Sequence, residues 1–90
     1  MMYPFLTIDN DTEITHSQMY PDGSVKVYIE TPDEKDGFHS VICYLPEYRW
    51  TECHGYSAAE LERIQQIIRN NAHLILEFSQ KGGVLNAANF

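Results

Sequence analysis

Two groups of side chains in this sequence are of types that do chemistry. The first is His39, Cys43, Cys53 and His54. They fall on two neighbouring strand-like segments, so they could converge. Zinc takes four nitrogen or sulfur ligands, usually with two of them close in sequence as C-x2-C or H-x3-H. That spacing is absent, and the adjacent Cys53 and His54 point to opposite faces of a strand. A Cys–His nucleophile would need a lowered thiol pKa, a base in reach and a third group to orient it. Cys53 with His39 or His16, and with Glu52 nearby, could be drawn that way, but the spacing does not single them out. The simpler expectation is that both cysteines are small buried apolar residues. The second group is acidic: Asp9, Asp11 and Glu13 alternate as calcium-loop ligands do. An EF-hand loop also needs a glycine after the third ligand and a glutamate near its end. Ile14 and Tyr20 stand at those positions, so the alternation reads as a solvated strand edge. Gly82-Gly83 follow a helix rather than precede one and form no phosphate loop. A non-catalytic protein with no metal and no cofactor is expected.

Charge says more than these motifs. The 90 residues carry a net charge of −7. Residues 1–36 hold Asp9, Asp11, Glu13, Asp22, Glu30, Asp33, Glu34 and Asp36 against Lys26 and Lys35, a balance of −6. The remainder of the chain is at −1. Gripping a phosphate backbone takes clustered Lys and Arg, so direct nucleic-acid binding is disfavoured, and anionic membranes are disfavoured for the same reason. A basic protein surface is favoured, although net charge also serves solubility alone. No apolar run reaches the roughly 18–20 residues that cross a bilayer. The opening MMYPFLTIDND lacks the basic start of a signal peptide and carries acids instead, which predicts a cytoplasmic protein. Two cysteines imply no disulfide framework.

These groups must be positioned by a short run of elements within one domain. Residues 3–8 predict a strand, broken by Asp9-Asn10-Asp11. Residues 13–20 and 25–30 predict a hairpin around Pro21-Asp22-Gly23-Ser24, whose residue types fix or tolerate turn geometry. Residues 31–37 read as a polar loop. Residues 38–45, FHSVICYL, are apolar on both faces, which predicts a strand inside a sheet covered on both sides. A further strand is expected over 48–54, so residues 1–56 are β-rich. A helix is expected over 57–81, opened by the capping box Ser57-x-x-Glu60 and stopped by Gly82-Gly83, with residues 82–90 as a tail. Leu61, Ile64, Ile68, Ala72, Ile75 and Phe78 recur at helical spacing. Ile67, Leu74 and Leu76 widen that stripe beyond what one small sheet covers. Either the tail VLNAANF folds over the surplus, or a second copy does, through Ile67, Leu74, Leu76 and Phe78 as a homodimer.

Tyr44, Tyr48, Trp50 and Tyr56 lie within thirteen residues, with Arg49 among them. These residue types are enriched where proteins meet. Trp50 and Tyr44 are expected in the sheet core, and Tyr48, Arg49 and Tyr56 at the surface. The run GFHSVICYL, then EYRWTEC, then LERIQQIIRNNAHLILEFSQ, resembles a widespread group of small bacterial domains of unknown function. That group has a β-meander, a Phe-His-Val-like strand after a turn, and a C-terminal helix. The resemblance spans about residues 25–80. It departs where Lys35-Asp36-Gly37 replaces a usual Pro-Pro-His, and where the helix ends in Glu77-Phe78 without a tryptophan. It implies the fold, it marks His39 as a position of interest, and it brings a toxin–antitoxin setting known for some members.

Together these readings predict an α+β fold: an antiparallel sheet of four to five strands with one long C-terminal helix packed on it. The expected role is a small acidic interaction protein, such as an inhibitor of phage or toxin–antitoxin type. It would present Asp9, Asp11, Glu13, Glu30, Asp33, Glu34 and Asp36, with Tyr48, Arg49 and Tyr56, to a basic partner. The alternative is a small metal-binding protein or Cys/His enzyme using His39, Cys43, Cys53 and His54.

Overall fold

The computed structural model describes residues 1–81. The tail at 82–90, with its expected glycine stop and its possible packing on the helix, lies outside the described residues. Five strands, β1 (Tyr3–Ile8), β2 (Thr12–His16), β3 (Val25–Asp33), β4 (Gly37–Leu45) and β5 (Arg49–His54), precede one helix, α1 (Ala58–Gln80). The strands pair as an antiparallel meander in chain order. This is the expected α+β fold.

Turn chemistry sets the meander. Asp9 and Asn10 both have positive φ, 54° and 69°, and the Asp11 amide donates to the Ile8 carbonyl. Residues 8–11 thus form a primed turn, with Asp11 left over between the paired Ile8 and Thr12. At the next hairpin β2 stops at His16, short of the expected Tyr20. The tip is closed by Tyr20 N–H to Ser24 O and Gly23 N–H to Tyr20 O, with the Asp22 carboxylate accepting from the Ser24 amide and hydroxyl. The expected polar loop at 31–37 is mostly strand. Thr31, Pro32 and Asp33 pair with His39, Phe38 and Gly37, and only residues 34–36 turn. Lys35 and Asp36 donate their amides to Asp33 Oδ2, so a side chain replaces the loop bonds that a longer turn would need.

The core lies between the sheet and α1. Val25, Val27 and Ile29 of β3 sit opposite Leu45, Cys43 and Val41 of β4 and face Ile64, Ile68, Ala72 and Ile75 of the helix. At about 1.5 Å per residue the 23-residue helix is roughly 34 Å long and spans the sheet along its strands. The capping box forms as expected: the Ser57 hydroxyl accepts from the Glu60 amide, and the Glu60 carboxylate accepts from the Ser57 amide. At the opposite end the Met19 amide donates to the Ser79 carbonyl. Ser79 Oγ sits in a buried knot, 2.7 Å from the Ile75 carbonyl, 3.1 Å from the Ser17 carbonyl and 3.1 Å from His16 Nδ1. The helix N-terminus is thereby fixed beside the β1–β2 and β3–β4 turns.

Two expectations about covering change. β4 is apolar on both faces, but α1 covers only the Val41–Cys43–Leu45 face. Ile42, 7% exposed, is buried on the other face and lies outside the core cluster. The helix surplus is also smaller than expected. Ile67 and Leu76 pack against the core of their own chain, and Phe78 meets Phe5 with ring centroids 6.0 Å apart. Of the four positions assigned to a homodimer, Leu74 alone is half-buried without a place in that packing.

Candidate functional site

The β1–β2 turn, the β3–β4 turn and the helix N-terminus meet at one end of the sheet, and they carry most of the acids there. Asp9 projects from the primed turn and takes a two-pronged ion pair from Arg63 of α1, with Nη2 to Oδ1 at 3.1 Å. This hydrogen bonding holds the Asp9 carboxyl below its ordinary pKa. Glu60 is likewise held below its ordinary value, first by the Ser57 amide. Both carboxyls therefore stay ionised well into the acid range. The stability they add is complete above their ordinary values and is lost as pH falls through the lowered ones. Asp33, Glu34 and Asp36 occupy the tight β3–β4 turn, and Asp11 sits on the rim between the two sheet faces.

Glu13 and Glu30 are directly opposite one another across β2 and β3. Like charges in that relation destabilise a sheet. Asp9, Asp11 and Glu13 therefore do not share one side, as their alternation suggested. They are divided between the helix contact, the rim and the open face. Asp22 is the exception to the clustering, at the far hairpin tip.

His39 is the most constrained side chain of this end. Its imidazole lies edge-on to the Tyr56 ring at 5.6 Å, with Nε2 3.2 Å from Asp36 Oδ2 and 3.7 Å from Asp33 Oδ1. Gly55, at φ 88°, leaves the space the imidazole fills, and a Cβ there would collide with the ring. Tyr56 is anchored in turn. Its hydroxyl meets Thr31 Oγ1 at 2.7 Å, and Thr31 meets Thr12 at 2.6 Å. Burial pushes the Tyr56 phenol pKa up, with Thr31 opposing. Tyr56 is thus half-buried rather than a surface residue. Asp33, Asp36 and His39 each offer a ligand atom within 4.8 Å of the others. This is one ligand fewer than a structural zinc site uses.

The four-residue Cys/His centre does not assemble. Among the described residues, His39 gathers with carboxylates and not with thiols. Cys43 is buried under the helix, where desolvation pushes its thiol pKa up to about 12. That is the opposite of an activated nucleophile. Cys53 is exposed. The bulge between Ser40 and Ile42 sets Ser40 against His54 and Ile42 against Thr51, leaving Glu52 and Cys53 over.

Two clefts flank the acid-rich end. On the helix side a cleft of about 230 Å³ is lined by Asp9, Asp11, Thr12, Thr31, Tyr56, Glu60 and Arg63, with Ile8 and Ile64 at its base. On the open face a cleft of about 110 Å³ is lined by Asp11, Glu13, Glu30, Pro32 and Phe38. Phe38 is 55% exposed there. The aromatic set splits as well. Trp50 packs on the core. Tyr44 lies on the open face beneath the Arg49 guanidinium, 4.4 Å from its ring centre. Tyr48, 37% exposed, stands 5.8 Å beneath the Arg69 guanidinium of α1, away from the acid-rich end.

Sequence reasoning missed Glu60 and the Thr12–Thr31–Tyr56 chain as parts of this end. The spacing Asp33-x-x-Asp36-x-x-His39 around Gly37 was a legible sign of the His39 cluster, once the turn is read as tight. No protein-family model, curated protein or solved structure matches the chain. Among the described residues, no helix is long and apolar enough to cross a membrane.

Proposed function

We propose that this chain is a small acidic, non-catalytic interaction protein that binds a basic protein surface through the acid-rich end of its sheet. One observation carries the reading: Asp9, Asp11, Glu13 and Glu30 line two adjoining clefts with Glu60 of the helix, and Asp33, Glu34 and Asp36 stand at the β3–β4 turn of the same end. The arrangement is costly for folding, since Glu13 faces Glu30 and the β3–β4 turn concentrates three carboxylates. Repulsion of that kind is relieved by cations. Lys and Arg side chains of a partner would supply them, with the exposed Phe38 ring offering a cation–π face beside Glu13 and Glu30. Spaced carboxylates can occupy the groove that a partner uses for phosphates, so an inhibitor of a nucleic-acid-binding protein is the sharper form of this role. Tyr48 and Arg49 lie away from this end and drop out of the interface. Tyr56 stays as the support beneath His39.

An arginine-rich peptide serves as the probe, with its Kd measured across salt. Binding should weaken about tenfold or more between roughly 50 and 300 mM NaCl. Neutralising Asp11, Glu34 and Asp36 together (D11N, E34Q, D36N) should abolish it. Removing the same charge elsewhere (D22N, E47Q, E77Q) should leave it nearly intact. Equal losses from both triple variants would mean that only net charge matters, and the assigned site would be wrong.

A further inference from the structure

The face of the sheet turned away from α1 is built in rows, and the rows carry opposite charges at its two ends. Register places Lys26 beside Tyr44 and Tyr44 beside Arg49. The next row on the same face runs Thr15, Tyr28, Ile42, Thr51. The row after that holds Glu13, Glu30 and Ser40. Successive rows are about 6.8 Å apart, since every second residue shares a face. An apolar and aromatic middle is thus flanked by two cations on one side and two carboxylates on the other.

This face differs from the rest of the molecule. The chain as a whole carries −7, yet the strand positions of this face balance. Among the described residues, Lys26, Glu13 and Glu30 enter no ion pair. Ile42 and the Tyr28 and Tyr44 rings give β4 and β3 an apolar second side that the helix does not reach. A strand apolar on both faces belongs in a sheet covered on both sides.

We propose that this open face is the contact between two copies of the chain, stacked sheet on sheet about a two-fold axis running along the Tyr28–Ile42 row. Such an axis leaves each strand over its own copy and exchanges the rows on either side of it. Lys26 of one copy then lies on Glu30 of the partner subunit, and the reverse contact follows by symmetry. The Ile42 and Tyr28 side chains of both copies close the centre, at the roughly 10 Å spacing of packed sheets. A partner bearing only positive charge would match Glu13 and Glu30 but clash with Lys26 and Arg49. A second copy sets Lys26 on Glu30 twice over, through the same strand of each copy. The inference shares Glu13 and Glu30 with the basic-partner reading, and the two are told apart because the acids neutralised to test that reading, Asp11, Glu34 and Asp36, lie outside the Lys26–Glu30 contact.

Sedimentation equilibrium on the full chain, with circular dichroism as the check on folding, tests the proposal. The unmodified protein should be dimeric at tens of micromolar. K26E and E30K, each placing like charges in both symmetric contacts, should each weaken the dimer by about tenfold or more. The double variant, K26E with E30K, restores opposite charges and should return to within about threefold of the original Kd. A monomeric unmodified protein would overturn the proposal. So would a dimer indifferent to both single reversals, which would put the contact on another surface such as the helix, or a double variant no tighter than the singles.

Discussion

His39 shows how much of this protein's character is decided by single contacts. The imidazole is held by two carboxylates at its outer edge, a tyrosine ring beneath and a glycine whose missing side chain makes room for it. Gly55 therefore has two reasons to be glycine: its φ of 88° and the ring that fills the space a Cβ would take. Gly55→Ala should cost about 1–3 kcal/mol in urea denaturation, from backbone strain together with displacement of the imidazole. Part of that loss should return when His39→Ala is added, because the collision then disappears while the strain remains. Strictly additive losses would show that the ring is not what the glycine accommodates. His39 itself could be picked out in the sequence as a position of interest, but its partners could not. Its place on a strand next to Cys53 and His54 suggests thiol partners, if neighbouring strands bring their reactive residues together. The Ser40/Ile42 bulge and the burial of Cys43 under the helix prevent that.

At the scale of elements, the strongest local signals became structure almost unchanged. The Ser57–Glu60 box opens α1, and the period of Ile64, Ile68, Ala72 and Ile75 becomes its buried stripe. Ser57→Ala removes the acceptor for the Glu60 amide and should lower stability by about 1 kcal/mol, read as a shift of the urea midpoint with unchanged slope. A negligible shift would mean that packing against the β3–β4 turn fixes the helix start without the cap. Strand ends were less legible. β3 runs to Asp33 because the Asp33 side chain closes the following turn in three residues. Composition alone, rich in Pro, Asp and Lys, reads there as a loop. β2 ends early because its continuation bonds to the helix C-terminus, the Ser17 carbonyl with Ser79 Oγ and the Met19 amide with the Ser79 carbonyl, while Ser17 Oγ takes the Lys26 amide of β3.

For the whole molecule, charge placement matters more than net charge. The acids were legible as an N-terminal excess, and the meander turns that excess into one crowded end. That end repels itself, with few basic groups among it. Added salt should therefore stabilise the fold, raising the urea midpoint between about 10 mM and 0.5 M NaCl, since screening relieves the crowding more than it weakens the exposed Asp9–Arg63 pair. A midpoint that falls with salt would mean the ion pairs outweigh the repulsion. The wide apolar arc of the helix predicts a cover, either the tail or a second copy. Much of it is taken up by β1 and the sheet of the same chain, through Phe5 and the core around Ile67 and Leu76. Among the described residues, no element covers the far side of β3 and β4, where the half-buried Tyr28 and Tyr44 rings surround the buried Ile42.

The sequence by itself determined the fold class, the helix with its cap, the hairpin turns and the buried stripe. These depend on periodicity and on side chains bonding their own neighbours, which are short-range and visible in one chain. Tertiary structure decided which residues meet across the sheet: Asp33 and Asp36 with His39, Glu13 with Glu30, Asp9 with Arg63, and Lys26 two rows from Glu30 on an open face. Those meetings depend on register and on bulges, where a shift of one residue sends a side chain to the other face.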